Sequence, residues 1–208
     1  MTELRHILTN ISTNQVQHKD ISRAFDEVAI ELLLHTKIIM PYGCFYLREI
    51  EFYFYNKNNY RDPYTHKHPL QRQFGKWYFH RFKSIDSFLN SNRNGIDITF
   101  GNEEVGTYGG ILLRKIQYID SNKFIVGINK IVRAFVEKIG KDSFNNLYGQ
   151  DVFDKNQPVY LEVEKNNSFS PVYKTQRKGL TIKDDENHKK FYSMRLCYYT
   201  TEIVQATS

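Results

Sequence analysis

Apolar residues recur at helical spacing between residues 20 and 36, where Ile21, Phe25, Val28, Ala29, Leu32 and Leu33 share one face and Asp20 or Ser22 stands ready to cap the start. A second stripe, Ile128, Ile131, Val132, Phe135 and Ile139, predicts a helix that stops at Gly140. After the first stripe, Pro41-Tyr42-Gly43 marks a turn. Residues 44–55 are then dense in aromatic and branched side chains and predict a long strand. Strict alternation would put Phe45, Leu47, Glu49, Glu51 and Tyr53 on one face, with Tyr46, Arg48, Ile50, Phe52 and Phe54 on the other. Both faces carry apolar groups, so the strand belongs at the centre of a sheet covered on both sides. Further strands are expected at 76–82, 95–100, 109–116, 159–163 and 191–199, and a polar loop of functional length at 56–73. Residues 1–19 are polar and weakly periodic, which predicts a flexible N-terminal arm ahead of a single α+β domain over 20–208.

Composition narrows the function classes. The chain has 208 residues with Lys+Arg 29 and Asp+Glu 23, a net charge of +6. No stretch is long and apolar enough to read as a membrane span. Two cysteines, Cys44 and Cys197, exclude a disulfide framework and a thiolate zinc cluster, and with no signal-like N-terminus they suggest a reducing cytosol. Tyr 15, Phe 15 and Trp 1 make the chain rich in aromatics. Aromatic and mildly basic is one signature of a surface that stacks bases beside phosphates, although AT-rich coding raises the same residues together.

Several groupings could carry chemistry. Glu49 and Glu51 sit on a strand expected to be buried, which is costly unless they are paired with cations such as Arg48 or Arg114, or used as a general base. His66, His68, His80 and Asp62 fit either a metal site or a pocket whose rings sandwich a planar heterocycle. Gly101 and the 106–110 stretch match neither phosphate-binding fingerprint and read as turn glycines. Lys174, Arg177, Lys178, Lys183, Lys189 and Lys190 form a basic stretch that suits a phosphate-facing rim or a solvated surface.

The order of motifs resembles the alkyladenine (3-methyladenine) DNA glycosylase family. Glu49-Ile50-Glu51-Phe52-Tyr53 is similar to its Glu-Thr-Glu-Ala-Tyr strand, and 62–66 to the acidic, His-bearing loop that follows. Gly75 to His80 resembles its Gly-x-x-Tyr-Val-Tyr strand, 95–100 the strand with a pocket asparagine, and Gly110 to Arg114 its Val-Leu-Leu-Arg strand. Residues 176–180 and 190–192 resemble its Pro-Arg-Ile-Gly-Ile and Arg-Phe-Tyr elements. The resemblance runs from the first amphipathic helix to about Tyr199.

It implies a curved, mostly antiparallel sheet flanked by a few helices, and a monomeric enzyme that acts on DNA in the cytoplasm, at the nucleoid, with neither metal nor cofactor. It would flip a modified base into an aromatic pocket and hydrolyse the N-glycosidic bond. The resemblance makes Glu51 the general base and Arg114 its partner in holding water. Tyr53 and His66 would line the pocket, with His80 standing where the family has a second stacking tyrosine. Arg177 would lie near the sugar-phosphate or the carboxylates. Two departures stand out. Asp97 replaces the pocket asparagine, and the hairpin that wedges into the duplex is missing, leaving Phe82 or Phe88 as wedges. A nucleic-acid or nucleotide binder on the same scaffold, and a metal-dependent nuclease built from Glu49, Glu51, His66, His68 and Asp97, are the alternatives.

Overall fold

The computed structural model describes residues 3–13, 18–164 and 170–201. In chain order these form α1 (Glu3–Ser12), α2 (His18–His35), β1 (Thr36–Met40), β2 (Gly43–Asn56) and β3 (Tyr60–Arg61). A 3-10 turn (Pro69–Arg72) leads to β4 (Phe74–Phe79), α3 (Ile85–Leu89), β5 (Ile96–Phe100), β6 (Tyr108–Tyr118) and β7 (Phe124–Val126). α4 (Ile128–Leu147), β8 (Tyr160–Val163), β9 (Val172–Thr175), α5 (Glu186–Ser193) and β10 (Cys197–Thr200) complete the described chain. The result is a single α+β domain, a strongly curled antiparallel half-barrel with five α-helices among the described residues. Among those residues no helix is long and apolar enough to cross a membrane.

β2 is the spine. It pairs with β6 along one edge, while β1, β10 and β3 share the other edge in succession. The main path runs β4-β5-β6-β2-β1-β8. One face of the sheet is the core. Phe52 stacks on Phe25 of α2 at 4.5 Å between ring centroids, and Phe79 on Phe144 of α4 at 4.4 Å. Trp77 meets Phe135 of α4 edge-on and donates its indole N–H to the Val159 carbonyl. Each such ring, fully buried, contributes roughly 1.5–3 kcal/mol.

Strict alternation fails on β2, and the failure creates the site. Register shifts lie between Leu47 and Glu49 and between Glu49 and Ile50, where β2 runs beside Lys115 and Leu113 of β6. Phe45 and Leu47 therefore join Ile50, Phe52 and Phe54 in the core, instead of sharing a face with Glu49, Glu51 and Tyr53. β-bulges re-aim side chains in this way, and they are common beside active sites.

Other expectations need correction. Residues 3–13 are not a loose arm: Leu4, Ile7, Leu8 and Ile11 are buried at helical spacing, α1 packs on α2, and the Thr107 hydroxyl donates to the Ser12 carbonyl. The rest of the expected arm, residues 1–2 and 14–17, lies outside the described residues. α2 begins at His18, so Asp20 and Ser22 lie inside the helix and do not cap it. Gly140 (φ 77°) breaks the second predicted helix, but a further helical segment continues to Leu147. The strand expected at 191–199 is the end of α5 followed by β10. Phe191 points into the core from the helix, and Asp185 caps that helix by accepting from the His188 N–H at 2.9 Å.

Candidate active site

One register row crosses the sheet on the face opposite the core: Tyr78 on β4, Asp97 on β5, Leu112 on β6, Glu51 on β2 and Cys197 on β10. Side chains in one row stand side by side on the same face. A cavity of about 540 Å³ opens over this row, within the usual range for a small-molecule site.

Glu51 anchors the floor. It is 0% exposed. Its Oε2 accepts from the Tyr53 hydroxyl at 2.8 Å and from Arg114 Nη1 at 3.2 Å, and its Oε1 accepts from the Lys178 backbone N–H at 2.7 Å. Glu49 lies beside it, with Oε1 at 2.6 Å from Lys178 Nζ and 3.3 Å from Arg114 Nε. Two carboxylates thus face two cations, which is what makes their burial tolerable. Glu51 does not itself line the cavity, whereas Tyr53, Arg114 and Lys178, its three partners, all do. Burial first, then the Glu51 charge, pushes the Tyr53 phenol well above its ordinary range, so it serves as a hydrogen-bond donor. Cys197 lies 3.6 Å from Glu49 Oε1; burial first, then Glu51 and Glu49, raises its thiol far above the range of a reactive thiolate.

A strap between β9 and α5 closes this floor, and Arg177 rivets it. Its guanidinium, fully buried, donates to both oxygens of buried Asp62 at 2.6 and 3.1 Å, and to the carbonyls of Phe52 and Phe191. It also lies 4.6 Å from the Tyr53 ring centroid, covering one face of that ring. Arg177 is therefore a structural strut that positions Lys178 on Glu51, and does not line the cavity as a substrate contact.

The opposite wall is a cluster of rings. His80 Nε2 lies 2.7 Å from Asp97 Oδ1, and the Asp97 Oδ2 accepts from Gln71 Nε2 at 3.5 Å. The rings of His66 and His80 meet edge to face at 4.5 Å, and His66 Nδ1 lies 3.3 Å from the Tyr78 hydroxyl. His68 stacks on Tyr78 and caps the 3-10 turn. Burial, reinforced by neighbouring His80, pushes His66 down to about 4, so its ring is neutral at physiological pH. Gly110, opposite Tyr53 in the register, lets two polar tips come close: a Cβ there would sit 2.6 Å from Asp97 Oδ2 and 2.8 Å from Gln71 Nε2, so any larger residue would push the carboxylate and the amide aside. Gly109 and Gly110 are close-approach residues inside β6; Gly101, just past β5, is another, since a Cβ there would sit 2.0 Å from the Gln71 carbonyl oxygen, and only Gly106 of these is a plain turn glycine.

The lining is cationic. Arg81, Arg93, Arg114, Lys178 and Lys183 face it against one lining carboxylate, Asp97. Arg81 and Lys67, each next to a histidine of the ring cluster, have left-handed backbone (φ 55°), a strain of about 1–3 kcal/mol each that tends to gather at functional sites.

The fold thus brings together Tyr53, His66, His80, Asp97 and Arg114 in one cavity, with Glu51 directly beneath. Of the basic stretch, Lys178 and Lys183 reach the cavity, while Lys174 pairs with Asp26 and Lys189 with Asp184 on the surface. Gln71 and Leu112, which gave no signal in sequence, also line it. The metal alternative loses its geometry: Asp62 is taken by Arg177, Asp97 by His80, and Glu49 and Glu51 by Arg114 and Lys178. Among the described residues no three His, Cys, Asp or Glu side chains group as metal ligands. Phe88 is buried and Phe82 packs against Tyr148 at 5.0 Å, so neither wedges.

The fold and site define a single-domain α+β protein with a cation-lined pocket over a buried carboxylate pair. No family model matches the chain. Over 173 residues, 76% of this chain and 79% of the relative, it is 31% identical to the uncharacterized protein L759 of Acanthamoeba polyphaga mimivirus, and it belongs to the same family as that viral protein.

Proposed function

We propose that the chain is a DNA glycosylase-like hydrolase that takes a flipped, modified base into the cavity and cleaves its N-glycosidic bond with water activated by Glu51. The observation that carries this reading is the Glu51 carboxylate, fixed on a central strand and tied to Arg114, Tyr53 and Lys178 under a ring-lined pocket. Cleavage develops positive charge on the sugar, which a fixed carboxylate stabilises while it takes a proton from water. Oε1 accepts one hydrogen bond and keeps capacity for that water. Tyr53 and His66 both line the cavity and their rings suit a planar base, and the rim cations suit phosphates. Ile182, 54% exposed between the lining residues Thr181 and Lys183, supplies an apolar side chain of the kind that fills the gap left by an extruded nucleotide.

A second reading, a nucleotide or nucleic-acid binder on this scaffold, is favoured by Glu51 lying beneath the lining instead of in it. Mass spectrometry of bases liberated from a panel of modified DNAs separates the two. The glycosylase reading expects release from at least one DNA and none from Glu51→Gln; tight binding with no release from any DNA leaves the binder.

A further inference from the structure

Activating a water needs Glu51 alone, which leaves the Glu49–Lys178 pair beside it without a chemical role. Lys178 Nζ lies 2.6 Å from Glu49 Oε1, and the same oxygen sits 3.3 Å from Arg114 Nε. Arg114 reaches Glu51 Oε2 through Nη1 at 3.2 Å, so the amine and Glu51 stand on two sides of one guanidinium. The Lys178 main chain is fixed as well, because its N–H donates to Glu51 Oε1. Its side chain is 51% exposed and the residue lines the cavity, whereas the Glu49 side chain is nearly closed off. Of the two lysines in the lining, Lys178 is the one that meets a carboxylate among the described residues. Charge balance alone would be met by a second arginine, whose fork suits carboxylates better.

A lysine amine beside a bound sugar has chemistry that an arginine lacks, because it condenses with carbonyl groups. Once a base has left, the sugar behind it is a 1′-hydroxyl ring in equilibrium with its open aldehyde. The carbon that water attacked is then a carbonyl carbon. It lies where the Glu51 water reached it, and the Lys178 amine belongs to the same carboxylate cluster, so the two are held together instead of having to collide. We infer that Lys178 forms an iminium with C1′ of an abasic sugar and that the protein then cuts the strand on the 3′ side of that sugar, with Glu49 as the base. This second, lyase activity rests on the glycosylase reading for the placement of the sugar over Glu51.

The steps balance. The Lys178 ammonium and the C1′ aldehyde give a C1′–Nζ iminium, and two of the ammonium's protons leave with the aldehyde oxygen as water. Glu49 takes a proton from C2′, and the electron pair left behind moves into the C1′–C2′ bond and neutralises the iminium. The nitrogen then returns its pair to C1′, a C2′–C3′ double bond forms, and the C3′–O bond breaks with its electron pair on the phosphate. Water hydrolyses the remaining iminium to an unsaturated aldehyde and regenerates the Lys178 ammonium, while Glu49 gives its proton to solvent. Nothing is oxidised or reduced overall.

The test uses the full-length protein and an oligonucleotide that already carries an abasic site, single-stranded and in duplex, so that base release is not required. Sodium borohydride reduces an iminium to a secondary amine and leaves protein covalently joined to DNA. The expected result is an adduct that peptide mass spectrometry maps to Lys178, together with a cut strand whose 3′ end carries the unsaturated aldehyde. Lys178→Arg keeps a cation for Glu49 and the N–H for Glu51, and it should lose both adduct and cut to the level of DNA alone while its melting curve shows it folded. A cut that survives in Lys178→Arg would overturn the nucleophile in favour of charge alone. So would a wild-type adduct that is absent or spread over surface lysines, a result that does not depend on the variant folding. Base release from modified DNA with no adduct at Lys178 on abasic DNA would overturn the lyase and leave the glycosylase reading. An adduct at Lys178 with no base released from any modified DNA would support the lyase and remove the glycosylase reading.

Discussion

Replacing Glu51 with Gln tests the floor of the site twice, once through stability and once through chemistry. The carboxylate accepts from three donors, two on Oε2 and one on Oε1. A carboxamide has one oxygen, so its NH₂ must confront either the Lys178 N–H or the Arg114 and Tyr53 donors. It also leaves two cations against Glu49 alone. Breaking a buried pair by removing one partner costs about 3–5 kcal/mol. For a chain of this size that lowers the melting temperature by roughly 6–20 °C, at about 2–4 °C per kcal/mol. Total stability is of the order of 5–15 kcal/mol, so the loss is a large share of it and the assay is run only at temperatures where the variant's melting curve shows it folded. Release of its best base, measured in single turnover below the variant's transition, should fall about 10²- to 10⁴-fold, while DNA affinity by anisotropy stays within a few-fold. A variant that melts early yet releases base at the native rate makes Glu51 structural only. One that melts with the wild type contradicts the three-donor arrangement.

Three further outcomes follow. Arg177→Met strands buried Asp62 and should cost about 3–5 kcal/mol in urea unfolding; a loss of DNA affinity without a loss of stability would instead make Arg177 a phosphate ligand. His66 is held near 4, below the ordinary histidine value of about 6.5, so the unfolded chain binds the extra proton between those limits. Wild-type stability should therefore fall relative to His66→Gln as pH drops from about 6.5 toward 4, modestly because the ring is partly open to solvent; parallel curves would contradict the shift. Lys183→Ala should reduce the slope of log affinity against log salt by about 0.9 on duplex DNA, and an unchanged slope would place Lys183 away from phosphates.

How far the sequence could be read depended on the kind of signal. The stripes Ile21 to Leu33 and Ile128 to Ile139 gave two helices because a single period governs each. Leu4, Ile7, Leu8 and Ile11 carry the same period, but a run of Asn, Thr and Gln masked it. Glu51, Tyr53, His66, His80, Asp97 and Arg114 could be singled out because polar groups on aromatic-rich strands are expensive without a purpose. Their partners were harder to find. Nothing in the chain foretells that Lys178 donates its backbone N–H to Glu51, because a main-chain donor carries no residue-type signal. For Arg177 two places stayed open, the sugar-phosphate or the carboxylates, because charge alone does not distinguish an exposed phosphate ligand from a strut closed over Asp62, and the structure sets it on the carboxylate. The pairing of His80 with Asp97 follows from the β4–β5 register, which alternation within one strand cannot supply.

The shifts near Arg48 and Arg114 are what give the pocket its acids. Were the alternation of β2 unbroken, the half that begins with Phe45 and Leu47 would dictate the orientation of the half that ends with Glu49 and Glu51, and the carboxylates would be turned inward among phenylalanines. Being out of step lets one strand serve two masters: its inner side can be selected for tight filling and its outer side for reactivity. Excising Arg48 would make the rhythm of β2 even, with Phe45, Leu47, Ile50 and Phe52 still inward and the acids still outward, whereas excising Ile50, between the two acids, would turn Glu51 inward.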